Sequence, residues 1–145
     1  MNWWENPVAP DRNTKRFSLL LVEPYSVVRS TVTSVARSLD IVDIQEAPSI
    51  DAAAALLLAH AFDGFVIALG DDHAGLELIN RIRSGSTSSP ATAAVAITTE
   101  SVNQESIAAF KKLDVKRVLL KPFKVKAILE TIAAFAQPAR HTEPS

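Results

Sequence analysis

The sequence predicts an α/β protein built on one doubly wound, five-stranded parallel sheet. Two observations carry that expectation. Five short apolar runs recur along the chain, each bounded by turn residues in the manner of strands buried on both faces. Each run is followed by apolar residues at helical spacing, and such alternation implies parallel strands joined by right-handed crossovers. The 145 residues suffice for one such domain and its core, with no room for a second.

The elements follow in order. Residues 1–16 are polar, without period, and are expected to form a mobile arm. Trp3 and Trp4 stand out in it, either packed on the domain surface or anchoring a partner. Phe17 to Val22 is a continuous apolar run suited to a central strand, broken by Glu23-Pro24-Tyr25-Ser26. Val27, Val28, Val32, Val35, Ala36 and Leu39 then recur at helical spacing. Ile41 to Glu46 alternates as a second strand does. Ser49 is placed to cap an alanine-rich helix from Ile50 to about His60, packed through Ala53, Leu56 and Leu57.

Phe65 to Leu69 is the third strand, and a turn-rich loop from Gly70 to Gly75 leads to a helix marked by Leu76, Ile79 and Ile82. The Ser84–Pro90 segment is a loop by composition. Ala94 to Thr98 is the fourth strand, and Ser101 with Gln104 three residues later has the capping-box pattern for a helix ending near Leu113. Arg117 to Phe123 is the fifth apolar run, expected to be buried on both faces, with Lys121 emerging at its carboxyl end. In open α/β sheets that end is where ligands bind. Val125, Ile128, Leu129, Ile132 and Phe135 mark the closing helix, and a polar tail covers residues 138–145.

Composition narrows the function classes. Hydrophobic residues make up 48% and charged residues 21%, as in a globular protein. A net charge of −1 gives no electrostatic case for nucleic acid or a membrane surface. The absence of cysteine removes disulfides, thiolate metal sites and cysteine nucleophiles. No signal-peptide core or membrane-length apolar stretch is visible, so a cytoplasmic protein is expected. His60, His73 and His141 share no metal-ligand spacing, and Ser26 lies in no hydrolase elbow. The loop after the first strand has no glycines to cradle phosphate, which argues against a nucleotide or flavin.

Four short motifs, in order and spacing, resemble a response-regulator receiver domain, the (βα)5 module of bacterial two-component signalling. They are Leu21-Val22-Glu23 with Arg29 six residues on, Gly75-Leu76-Glu77-Leu78, Ile97-Thr98-Thr99, and Leu120-Lys121-Pro122-Phe123. The likeness spans Phe17 to Ala136, giving an arm over 1–16 and a receiver-like domain over 17–137. It implies a flavodoxin-like sheet with strand order 2-1-3-4-5. It also implies phosphoryl transfer from a histidine kinase to an aspartate at the end of strand three. An acidic pair after strand one would hold Mg²⁺ there, and a hydroxyl and a lysine would meet the phosphoryl oxygens.

Carried over residue by residue, the match is partial. Glu23 takes the first acidic place and Pro24 the second. The acceptor place falls on Ala68, Leu69 or Ile67, depending on where the count begins, and none is a carboxylate. Thr98 takes the hydroxyl place, where a satisfied strand-end hydroxyl is expected. Lys121 takes the lysine place before a cis peptide to Pro122, its ammonium facing Glu23. Val118 stands where the family has its switch aromatic. Mg²⁺ and other cofactors are not expected, since Glu23 alone is a poor ligand set.

The resemblance therefore implies a pseudo-receiver, not an enzyme, that contacts signalling proteins such as a histidine kinase or another regulator. Its contact face, helix four to helix five, would include Ala108, Lys111, Lys112, Arg117, Lys124 and Lys126, and could also carry a homodimer. Two alternatives stand beside it. Asp71 or Asp72, otherwise a solvated pair leading a helix, could serve as a displaced acceptor. The domain could instead bind a small ligand in the crevice at the strand ends.

Overall fold

In the computed structural model, which describes residues 16–70 and 74–137, strands and helices alternate without interruption. The order is β1 (Phe17–Val22), α1 (Ser26–Arg37), β2 (Val42–Ala47), α2 (Ile50–Ala59), β3 (Gly64–Ala68), α3 (Ala74–Arg83), β4 (Ala94–Thr99), α4 (Gln104–Lys112), β5 (Arg117–Leu120) and α5 (Val125–Ala136). All strand pairs are parallel and the sheet order is β2-β1-β3-β4-β5. This is the flavodoxin-like arrangement the sequence predicts. Residues 1–15, with Trp3 and Trp4, and the 138–145 tail lie outside the described residues.

The period of two along each strand divides the core. Leu20, Val22, Phe65, Ile67, Val95 and Ile97 face α2, α3 and α4, where Leu57, Leu78, Ile79, Ile82 and Phe110 cover them. Leu19, Leu21, Val66, Ala96 and Leu119 face α1 and α5, against Val32, Ala36, Ile128 and Ile132. Burial of both faces is why β1, β3 and β4 are nearly pure apolar runs. Among the described residues, no helix is long and apolar enough to cross a membrane.

Several sequence-level expectations need correction. The fifth strand is not buried on both faces: Arg117 is exposed, Val118 half-buried and Leu120 50% exposed. It is the sheet edge, with no further strand beyond it among the described residues. The cap of α4 is Asn103, not Ser101. Asn103 Oδ1 accepts from the Ser106 N–H at 2.8 Å, and Ser106 Oγ accepts from the Asn103 N–H at 2.8 Å. This closes a capping box two residues later than the Ser-x-x-Gln pattern suggests. Val27 is 77% exposed and so is not on the apolar stripe of α1. β2 and β3 are each displaced by one residue from the expected spans, α1 stops at Arg37, α2 at Ala59 and α4 at Lys112, and β4 runs on to Thr99. The Ser49 cap stands, its Oγ accepting from the Ala52 N–H at 3.0 Å.

Gly75 sets the height of α3 over the sheet. Its N–H bonds Leu69 O at 3.1 Å, and a Cβ there would come within 3.0 Å of Ala68 O. A side chain there would push the end of β3 and the start of α3 apart by a few tenths of an ångström, so glycine favours this close start.

Candidate functional site

Strand register brings the site residues into one row at the carboxyl crest of the sheet. Val22 pairs with Ile67 and Ala68 with Thr98, so Glu23 stands level with Ala68 and Thr98. Thr98 in turn pairs with Leu119, two residues before Lys121. The period of two points all four of these side chains toward the α1 and α5 face. Ile67 points the other way, into the core, and Leu69 is buried with it.

The charged pair is closed. Lys121 Nζ donates to Glu23 Oε1 at 2.8 Å, and the Tyr25 N–H donates to Glu23 Oε2 at 2.9 Å. Glu23 is 1% exposed, so a carboxylate out of water needs both partners. Lys121 also lies over the Tyr25 ring, 5.2 Å from its centre, a cation–π placement. Arg29 fixes the loop from the outside: its Nη1 donates to the Glu23 and Pro24 carbonyls, and its Nε to Glu46. The Lys121-Pro122 peptide is cis, as expected from the sequence.

Above this row lies a cavity of about 310 Å³, lined among others by Tyr25, Ala68, Leu69, Thr98, Glu100 and Lys121. Thr98 is 3% exposed, and its Oγ1 has no hydrogen-bond partner among the described residues. The sequence-level expectation of a satisfied hydroxyl is therefore wrong. At the end of β4 the neighbouring residue across the row is Ala68, which has no polar atom in its side chain to meet it. Tyr25 escaped sequence reading altogether, because its backbone N–H and ring face, not a recognisable motif, make its contacts.

The response regulator receiver domain family matches residues 19–133. The chain belongs to that family. No curated protein sequence matches it. Among solved structures it is similar to a response regulator from Thermotoga maritima, at 20% identity and a TM-score of 0.71, covering 83% of this chain and 98% of that one. A signal receiver domain from Clostridium thermocellum aligns at 19% identity and TM-score 0.72, over 84% of this chain and 98% of the other. The Vibrio cholerae chemotaxis protein CheY4 aligns at 18% and TM-score 0.72, over 83% and 98%. These likenesses show the fold. The chain is thus a receiver domain of two-component signalling, a class of module that contacts histidine kinases and other signalling proteins.

The receiver's other predicted residues divide between two places. Asp71 and Asp72 lie outside the described residues. Ala108, Lys111, Lys112, Arg117, Lys124 and Lys126 are all exposed on the surface that runs from α4 to α5. None of the five cations among them is ion-paired within the described residues. Val118, Leu119, Leu120, Phe123, Ala127 and Glu130 line a shallow groove on that surface, with Lys124 and Lys126 on its walls. The sequence indicates the charges but not the groove, since an apolar run of this kind predicts a strand covered on both faces.

Proposed function

We propose that this receiver works through protein–protein contact and carries no aspartyl phosphate. The observation that supports the reading is the row Glu23–Ala68–Thr98, where register sets the Ala68 methyl level with Glu23 and Thr98. Magnesium does not fit the described residues. Glu23 has both oxygens engaged by Lys121 and the Tyr25 N–H, and Pro24 and Ala68 offer no side-chain oxygen. No group of three His, Cys, Asp or Glu side chains converges among those residues. With Lys121 held by Glu23 and Val118 in the place of the switch aromatic, neither the sensing nor the relay of a phosphoryl group has its parts.

The partner we propose is a signalling protein, a histidine kinase or another regulator, presenting acidic and apolar side chains. The unpaired cations beside the β5–α5 groove support it. A second copy of this chain is the alternative occupant of the same face. The net charge of −1 favours no nucleic acid or membrane partner, and a cytoplasmic setting belongs to the same proposal.

The test is incubation of the full chain with acetyl phosphate and Mg²⁺, followed by intact mass. We expect no added phosphate. A labile phosphate adduct that disappears in Asp71→Asn or Asp72→Asn would replace this reading with a displaced acceptor.

A further inference from the structure

We propose that the crest cavity is a reversible site for a small monocarboxylate, whose free carboxylate occupies the place beside Ala68. The inference rests on the reading of Ala68 as the acceptor's replacement and gives the altered pocket a ligand.

Among the described residues, two buried or half-buried groups at the crest have donor capacity to spare. Thr98 Oγ1 is buried, lines the cavity and has no partner among the described residues. Lys121 has three N–H groups and gives one to Glu23. Helix α1 begins beside the same cavity with no side-chain cap and no acidic residue in its first turn, and the nearby Glu23 carboxylate is already bonded to the Tyr25 N–H and Lys121. A site of donors calls for an acceptor. At about 310 Å³ the cavity far exceeds the single water that would satisfy one hydroxyl, and it matches the lower range of small-ligand pockets.

Charge selects among acceptors. Lys121 already shares its charge with Glu23, and Glu100 stands in the lining, so a dianion would meet too little positive charge. A monoanion asks less of the site, and it is held by hydrogen bonds from Thr98 and Lys121 more than by net charge. Pro24, Tyr25, Ala68 and Leu69 supply apolar wall for an alkyl or aryl tail. The ligand takes the part of an untethered aspartate side chain, held by Thr98 and Lys121 without any bond being made.

The experiment is a two-dimensional amide NMR titration of the full chain with sodium acetate and sodium benzoate. Sodium chloride and sodium phosphate at matched ionic strength serve as controls. Saturable shifts centred on Ala68, Thr98 and Lys121, with at least one of the carboxylates, are expected. Thr98→Val removes one hydrogen bond to the ligand and should weaken binding roughly tenfold. It is near-isosteric and deletes an unpartnered hydroxyl, so the fold should survive. Ala68→Asp supplies a tethered carboxylate and should abolish binding, and Ala68→Leu, which fills the space, should do the same if the aspartate variant does not fold.

No saturating shift at these residues, phosphate binding as tight as carboxylate, or unchanged affinity in the variants would each overturn the site. Acetyl phosphate treatment of the same sample separates the two readings. An unphosphorylated chain that ignores carboxylates loses only the ligand site, whereas a phosphorylated one loses the functional reading, whatever the titration shows.

Discussion

Glu23 and Lys121 lie 98 residues apart in sequence and meet at 2.8 Å, and the energetics of that contact are asymmetric. The Glu23 carboxylate is 1% exposed while the Lys121 side chain keeps 16%, so the acid depends on the base more than the reverse. Lys121→Ala would leave a buried carboxylate with only the Tyr25 N–H, and breaking such a pair costs about 3 kcal/mol or more. Replacing both partners together is far milder, because no charge is then stranded. Urea denaturation should therefore show Lys121→Ala well below the parent and the double variant Glu23→Gln/Lys121→Met within about 1.5 kcal/mol of it. Equal losses in the two proteins would mean that the contact adds packing and not charge compensation. The pair was legible in the sequence because both residues close apolar strands and opposite charges at one crest seek each other. The Thr98 hydroxyl, unpartnered among the described residues, was not, because its condition depends on what its neighbour on β3 lacks.

At the scale of elements, apolar runs gave the five strands and their order of use, while ends and caps were decided by competition between adjacent signals. Two overlapping patterns precede α4, Ser101-x-x-Gln104 and Asn103-x-x-Ser106. The second prevails because Ser106 is buried and reciprocates, its Oγ accepting from the Asn103 N–H while its own N–H reaches Asn103 Oδ1. Ser101 sits in the preceding loop, where its carbonyl accepts from Thr99 Oγ1 at 3.1 Å. Asn103→Ala should cost about 1 kcal/mol and Ser101→Ala less than about 0.5 kcal/mol, read from the midpoints of chemical denaturation. The reverse ranking would restore Ser101 as the cap. β5 shows a different failure. Its composition is that of a central strand, yet position in the sheet, which sequence does not state, leaves Leu120 half in solvent and opens the groove beside it.

Over the whole molecule, the alternation of strand and helix made the doubly wound parallel sheet readable, while the strand order and the crest residues were legible through the resemblance to receiver domains. What ties the far side of the molecule together was invisible, because it is a side chain bonded to backbone. Arg83, at the end of α3, donates from Nε to Leu113 O at 2.8 Å and from Nη1 to Ala91 O and Ala93 O, both at 2.7 Å. Its Nη2 reaches Asp114 O at 3.1 Å, in a turn where Asp114 holds a left-handed φ of 56°. One guanidinium thus joins α3, the approach to β4 and the turn from α4 to β5. Burial lowers its pKa, with the neighbouring Asp114 opposing that shift. An arginine stays charged across the neutral range regardless, so the staple should not loosen with moderate pH change. Arg83→Met keeps much of the aliphatic stem and strands several carbonyls, for an expected loss of about 2–4 kcal/mol. Arg83→Lys should recover little of it, since an ammonium carries the charge without the planar fork that reaches carbonyls on separate segments. If lysine restores full stability by calorimetry, charge near Asp114 is what matters, and the joining of three segments by directed hydrogen bonds is not.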